Sequence, residues 1–188
     1  MTVDEIFSQV AGHMTEGLMV HAQMAHYYDF LGLKGYSQCH LYHFIDENSN
    51  YIKLTHYFIK HYNKIPVETT FSNPGIVPSD WYSYTRQNVN DSVRKSSVEA
   101  GFKKWVDWEK KTKQIYQQYY NELVALGEYA AAEELKKYVV DVSEELADAE
   151  QKELTLKADN YNMSDIITEQ YYLYDKYKEK MKEIDYYD

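Results

Sequence analysis

IPVETTFSNPGIVPSDWYSYTRQNVN, from Ile65 to Asn90, is the stretch on which the rest of the chain is read. It holds all three prolines of the 188-residue sequence, Pro66, Pro74 and Pro78, with Gly75 and a scatter of Ser, Thr and Asn. Proline lacks a backbone donor and biases the residue before it away from helix, so a helix arriving here stops near Ile65. The connection is far longer than the few residues that join antiparallel neighbours. The chain on both sides of it has the periodicity of helices. A connection this long can carry the chain the length of a bundle, so that the helices before and after it lie parallel.

Working outward, Val3 to Leu31 places Ile6, Val10, Gly17, Val20, Met24, Tyr28 and Leu31 on one helical face. Gly32 and Gly35 break this segment, because glycine tolerates the left-handed turn that ends a helix. A second helix is predicted from near Tyr36 to about Asn63, with His40, Phe44, Glu47, Tyr51, Leu54 and Phe58 in line. Beyond the crossover, a third runs from Asp91, a suitable N-cap, to Leu126, with the stripe Phe102, Trp105, Glu109, Thr112, Tyr116, Tyr119, Leu123 and Leu126. Gly127 marks a short turn. The fourth runs from about Glu128 to Ala158 through Ala131, Leu135, Tyr138, Val142, Glu145 and Ala149. Asp159-Asn160 is a turn signal, and a last amphipathic helix is predicted from Met163 to about Ile184. The expected architecture is all-α: a four-helix bundle over residues 1–158, with a long crossover at about 65–90 between helices 2 and 3. An additional C-terminal amphipathic helix over 159–188 should dock on it.

Composition narrows the function. A formal net charge of -10 disfavours contacts with nucleic-acid phosphates. No stretch approaches the roughly 20 apolar residues that span a bilayer. MTVDEIFSQV has acids and no basic segment ahead of an apolar block, so it does not read as a secretory signal. Cys39, the single cysteine, has no partner for an internal disulfide, in keeping with a reducing compartment. The expected location is cytoplasmic. Phosphate loops, Cys-x-x-Cys pairs and nucleophile elbows are all absent from the sequence.

Three glutamates interrupt three apolar stripes: Glu47, Glu109 and Glu145. An unpaired ionised carboxylate in a core is costly, so each needs a metal, another cation or a proton. Carboxylates converging from several helices are one way in which a bundle core holds paired iron or manganese ions. All seven histidines lie in the first two helices, and His40 and His43 share a face with Glu47. They could be nitrogen ligands, or core histidines bonded to some of the 21 tyrosines.

With these residues in place, a resemblance can be stated. Asp46-Glu47-Asn48-Ser49-Asn50-Tyr51-Ile52-Lys53-Leu54, followed by Asn63-Lys64-Ile65-Pro66, resembles the second helix of bacterial non-haem ferritins and its exit into their crossover. Val106-Asp107-Trp108-Glu109-Lys110 is similar to their third helix, and Lys137 to Glu145 (KYVVDVSEE) to their fourth. The resemblance spans roughly residues 5–155. It implies the ferritin-like fold, a di-iron ferroxidase centre that could also take manganese, iron storage, and a homo-oligomer whose partners are metal ions and O2 or peroxide. Carried over by position, Glu47 is the bridging carboxylate, Glu109 the third-helix ligand, and Glu144 and Glu145 the acidic pair of a further iron site. Glu16 is the first-helix acid. The pattern departs at Asn50, where ferritins carry a histidine, and at Val142, often a glutamine. The centre is therefore altered, and His43, one turn before Glu47, is the substitute nitrogen ligand. The other reading is a metal-free bundle that kept the fold and serves as a binding or structural protein.

Overall fold

The computed structural model describes residues 1–66 and 89–182. They form five α-helices and no strand: α1 (Val3–Phe30), α2 (Lys34–Tyr62), α3 (Asp91–Ala125), α4 (Tyr129–Ala158) and α5 (Met163–Lys180). The expected helices are all present. The N-cap of α3 is Asn90 rather than Asp91: the Asn90 side chain accepts from the Val93 N–H, and Asp91 is already helical. Most of the expected crossover and the end of the chain fall outside the described residues. No helix among those described is long and apolar enough to cross a membrane.

Local chemistry sets the ends. Thr2 and Glu5 form a reciprocal capping box at the start of α1. Gly32 and Gly127, both at φ 77°, close α1 and α3. In each case the residue after the glycine donates back to a carbonyl five residues earlier, Leu33 to Tyr28 and Glu128 to Leu123. Tyr161 closes α4 by the same bond to Leu156.

Pairs of touching residues fix the topology. Phe7 stacks on Phe58 and Tyr28 packs on Tyr36, so α1 and α2 are antiparallel. Tyr27 meets Ser97 and His13 meets Thr112, so α1 and α3 are also antiparallel. It follows that α2 and α3 run parallel. A 29-residue helix is about 43 Å long, so the connection between them must cross about that distance, within reach of an extended chain.

The fifth helix packs along the first half of α2 and runs parallel to it. Gly35 lies beside Gln170, and Tyr42 against Tyr177. A Cβ on Gly35 would overlap the Gln170 carbonyl, so only glycine allows this approach. Ile166, Leu173 and Tyr177 are the buried face of α5. The Tyr177 hydroxyl donates to Asp148 of α4 at 3.1 Å. Lys152 and Lys176 pair with the same carboxylate.

The core is not continuous. One apolar cluster, including Ile6, Val10, Leu54, Phe58, Leu123 and Leu135, fills one half of the bundle. A second, including Tyr28, Leu31, Tyr36, Phe102, Ile166 and Leu173, fills the other half and takes in α5. Between them the buried residues are polar: His13, His21, His40, His43, Glu47, Glu109 and Thr112.

Candidate metal centre

This polar belt is where α1, α2, α3 and α4 each turn an unusual residue inward. On α3, Trp105, Glu109, Thr112 and Tyr116 recur at steps of three and four and so share one buried face. On α1, His13, Gly17 and His21 share another. Gly17 leaves room for α2: a Cβ there would sit 3.2 Å from Glu47 Oε1. Glu47 and Glu109 are buried, and Glu145 keeps 16% of its side chain exposed.

The acids are partly satisfied from within. Trp105 Nε1–H donates to Glu109 Oε1 at 2.9 Å, and His21 Nε2 lies 3.6 Å from the same oxygen. His43 Nδ1 lies 2.8 Å from Glu145 Oε1. The Nδ1 atoms of His21 and His40 are 3.1 Å apart, so one ring donates to the other. The ring of His43 stacks on that of His21 at 5.2 Å. Four polar atoms in or beside the belt are buried without a hydrogen-bond partner: Glu109 Oε2, His43 Nε2, Trp108 Nε1 and the Tyr116 hydroxyl.

Electrostatics follow from burial and crowding. Burial pushes Glu109 up to about 8 against the pull of the Trp105 hydrogen bond. Burial, reinforced by the charge of Glu109, pushes Glu145 up to about 8 as well. Glu47 is driven well above the usual carboxylate range by burial and by Glu145 and Glu109. Burial, then Glu145, raises Asp46 to about 7 and Asp141 to about 6. The histidines move the other way: burial lowers His21 to about 4 and takes His40 and His43 well below their ordinary value. The belt thus favours neutral acids and neutral imidazoles. A multivalent cation would reverse that preference for the acids, and neutral imidazole is the form that ligates.

The predicted residues fall in two places. Glu47, Glu109, Glu145 and His43 lie in or against the belt. The others lie at its margins. Glu16 is half-buried, with His13 Nδ1 at 3.7 Å and Lys111 Nζ at 4.0 Å. Asn50 donates to Asp141 Oδ2 at 3.0 Å. Asn50, Asp141 and the exposed Glu144 line an open cleft of about 330 Å³ between α2 and α4. Val142 is buried in the neighbouring apolar half. Sequence reasoning did not single out His21, Trp105 or Asp141. His21 was findable from the His13, Gly17, His21 spacing of four, and Trp105 from its place one turn before Glu109.

The donor set, carboxylates with imidazoles, fits a hard or borderline divalent ion. Among the described residues, no three His, Cys, Asp or Glu side chains are grouped to hold a metal ion as they stand. One oxygen of each of two acids, Glu109 Oε1 and Glu145 Oε1, is engaged by Trp105 and His43.

Helix order, parallel α2 and α3, and the added α5 define a ferritin-like four-helix bundle with a C-terminal helix. No protein-family model matches the sequence, nor does any curated protein. Solved structures with this fold include a closed form of the Archaeoglobus fulgidus ferritin engineered by site-directed mutagenesis, at TM-score 0.75 and 18% identity over 93% of this chain and 96% of that one. They also include an open-pore ferritin from the hyperthermophilic archaeon Archaeoglobus fulgidus, at 0.74 and 19% over 90% and 93%. A humanized archaeal ferritin stands at 0.75 and 16% over 91% and 94%. At these identities the likeness is one of fold.

Proposed function

We propose that this protein is a ferritin-like iron handler whose bundle core, residues 1–158, takes Fe(II) as substrate at a carboxylate-rich di-metal site. The observation that carries this reading is the belt: buried Glu47 and Glu109 and the largely covered Glu145 project from three helices into one layer, with Glu109 Oε2 and His43 Nε2 left without partners. Such acids cost stability in a protein that has no cation to offer them. The similar folds described as ferritins support the same reading.

In this reading Glu47, Glu109 and Glu145 supply the carboxylate oxygens and His43 a nitrogen. Glu16, Asn50 and Glu144 stand at the margins, where ions would enter or leave. Two Fe(II) would each give one electron, reducing O2 to hydrogen peroxide, or hydrogen peroxide to two waters, with the two protons taken from solvent; the iron would supply that redox chemistry. The chain's residues bind, orient and exclude water. Binding requires the raised carboxyls to give up their protons. Trp105 and His43 fix one oxygen on each of two acids. The apolar clusters above and below keep the layer dry. Manganese suits the same donor set. Assembly into a homo-oligomer belongs to this reading as well.

A second reading has its own observation. Because Glu109 and Glu145 already have internal partners, the belt can also stand as a metal-free polar network in a binding or structural protein. Elemental analysis after anaerobic Fe(II) exposure separates the two, with Glu47→Ala/Glu109→Ala as control. About two irons or more per chain in the parent, and near none in the variant, are expected. Equal, near-zero iron in both sinks the ferroxidase reading and leaves the second.

A further inference from the structure

We propose that Trp105 is a positioning residue that makes Glu109 a one-oxygen ligand, engaging Oε1 so that Oε2 alone is open to a cation. This rests on the carboxylate-centre reading above. The indole N–H donates to Oε1 at 2.9 Å, and His21 Nε2 stands 3.6 Å from that same atom. Oε2 is buried and has no partner. The two oxygens of one carboxylate thus have opposite surroundings.

The arrangement is rigid for two reasons. Trp105 and Glu109 are one turn apart on α3, so the helix itself sets their relation whatever the neighbouring helices do. The indole is also packed on several sides: Phe102 at 5.8 Å, with His40 and His43 edge-on at 5.0 and 5.2 Å. Its N–H has one direction to point.

The consequence is selectivity by denticity. A carboxylate that chelates through both oxygens offers a narrow bite that suits large ions of flexible geometry. A small ion of low coordination number has little room for both oxygens of a carboxylate and takes one. Holding Oε1 on an N–H therefore biases Glu109 toward ions of the Fe(II) and Zn(II) size and against larger ones.

The test measures Zn(II) and Cd(II) affinities by calorimetry for the parent, Trp105→Phe and Trp108→Phe. The last is a packing control, since the Trp108 N–H has no partner. Trp105→Phe should weaken Zn(II) about tenfold and leave Cd(II) within about threefold, the scale expected for losing an outer-shell partner. Trp108→Phe should change neither ion's affinity by more than about threefold. Equal losses for both ions in Trp105→Phe, or no loss, overturn the proposal while the metal reading stands. No binding of either ion by the parent sinks the metal reading and this inference with it. Should Trp105→Phe not fold, infrared difference spectra of the parent decide. A widely split carboxylate pair that appears with Zn(II) and is lost in Glu109→Gln supports one-oxygen binding, and a narrowly split pair lost in that variant overturns it.

Discussion

The same four helices build two unlike layers. Toward one end, Ile6, Val10, Leu54, Phe58, Leu123 and Leu135 meet with no buried acid among them. One step along, the same helices bring together Glu47, Glu109, His21, His40 and His43. The first layer is what an economical bundle needs, since packed apolar side chains stabilise without any polar partner. The second is what such a bundle would avoid unless the layer served a purpose. The difference teaches that apolar packing and buried titratable groups are segregated along the helix axis.

The largest expected effect lies in the apolar layer. Leu54→Ala, at a fully buried site, should destabilise by about 3 kcal/mol in denaturant titration and leave metal affinity unchanged. A matching loss of metal affinity would break the segregation. Next comes pH. Glu109 and Glu145 have folded values raised to about 8, so the folded state holds their protons longer, and their contribution is lost as pH rises from about 4.5 toward 8. His21, lowered to about 4, adds stability as pH rises from about 4 to 6.5 and nothing beyond. The two oppose below pH 6.5, and only the acids act above it. The metal-free protein should therefore lose on the order of 2 kcal/mol between pH 6.5 and 8 in thermal melts. Flat stability over that window would contradict the raised carboxyls.

Two smaller effects sharpen the contrast within the belt. Glu47→Gln should stabilise the metal-free protein at pH 8 by about 1 kcal/mol, because a neutral amide replaces a buried acid. The same variant should lose any rise in Tm that Mn(II) gives the parent. Gly17→Ala should change stability by less than about 1 kcal/mol, as the gain in helix propensity offsets crowding against Glu47 Oε1. It should still weaken cation binding, since Glu47 must give way. A large stability loss in this variant would mean that Glu47 cannot move.

Much of this was legible in the sequence. Period and breakers placed every helix within a few residues, and the clustered prolines implied parallel α2 and α3, which the Tyr27–Ser97 and His13–Thr112 pairs bear out. The interruptions at Glu47 and Glu109 were legible because a charge in an apolar stripe is expensive. The partners were less so. That His43 meets Glu145, or His21 meets His40, depends on the register between helices, and periodicity within one helix carries no such information. The place of α5 was hidden for the same reason: an amphipathic face calls for a surface without saying which. Gly35 marks that surface, but only the structure shows the Gln170 backbone against it.

Parallel α2 and α3 also have a consequence for the order of events in folding. The pairs α1/α2 and α3/α4 are each joined by a three-residue turn and can close quickly from local contacts. Glu47 belongs to one hairpin, Glu109 and Glu145 to the other. Glu109 and Glu145 can meet within their own hairpin, and Glu47 joins them only when the two hairpins dock. The cost of burying Glu47 beside them then falls after docking, late in folding, so substitutions at Glu47 should register mainly in the unfolding rate.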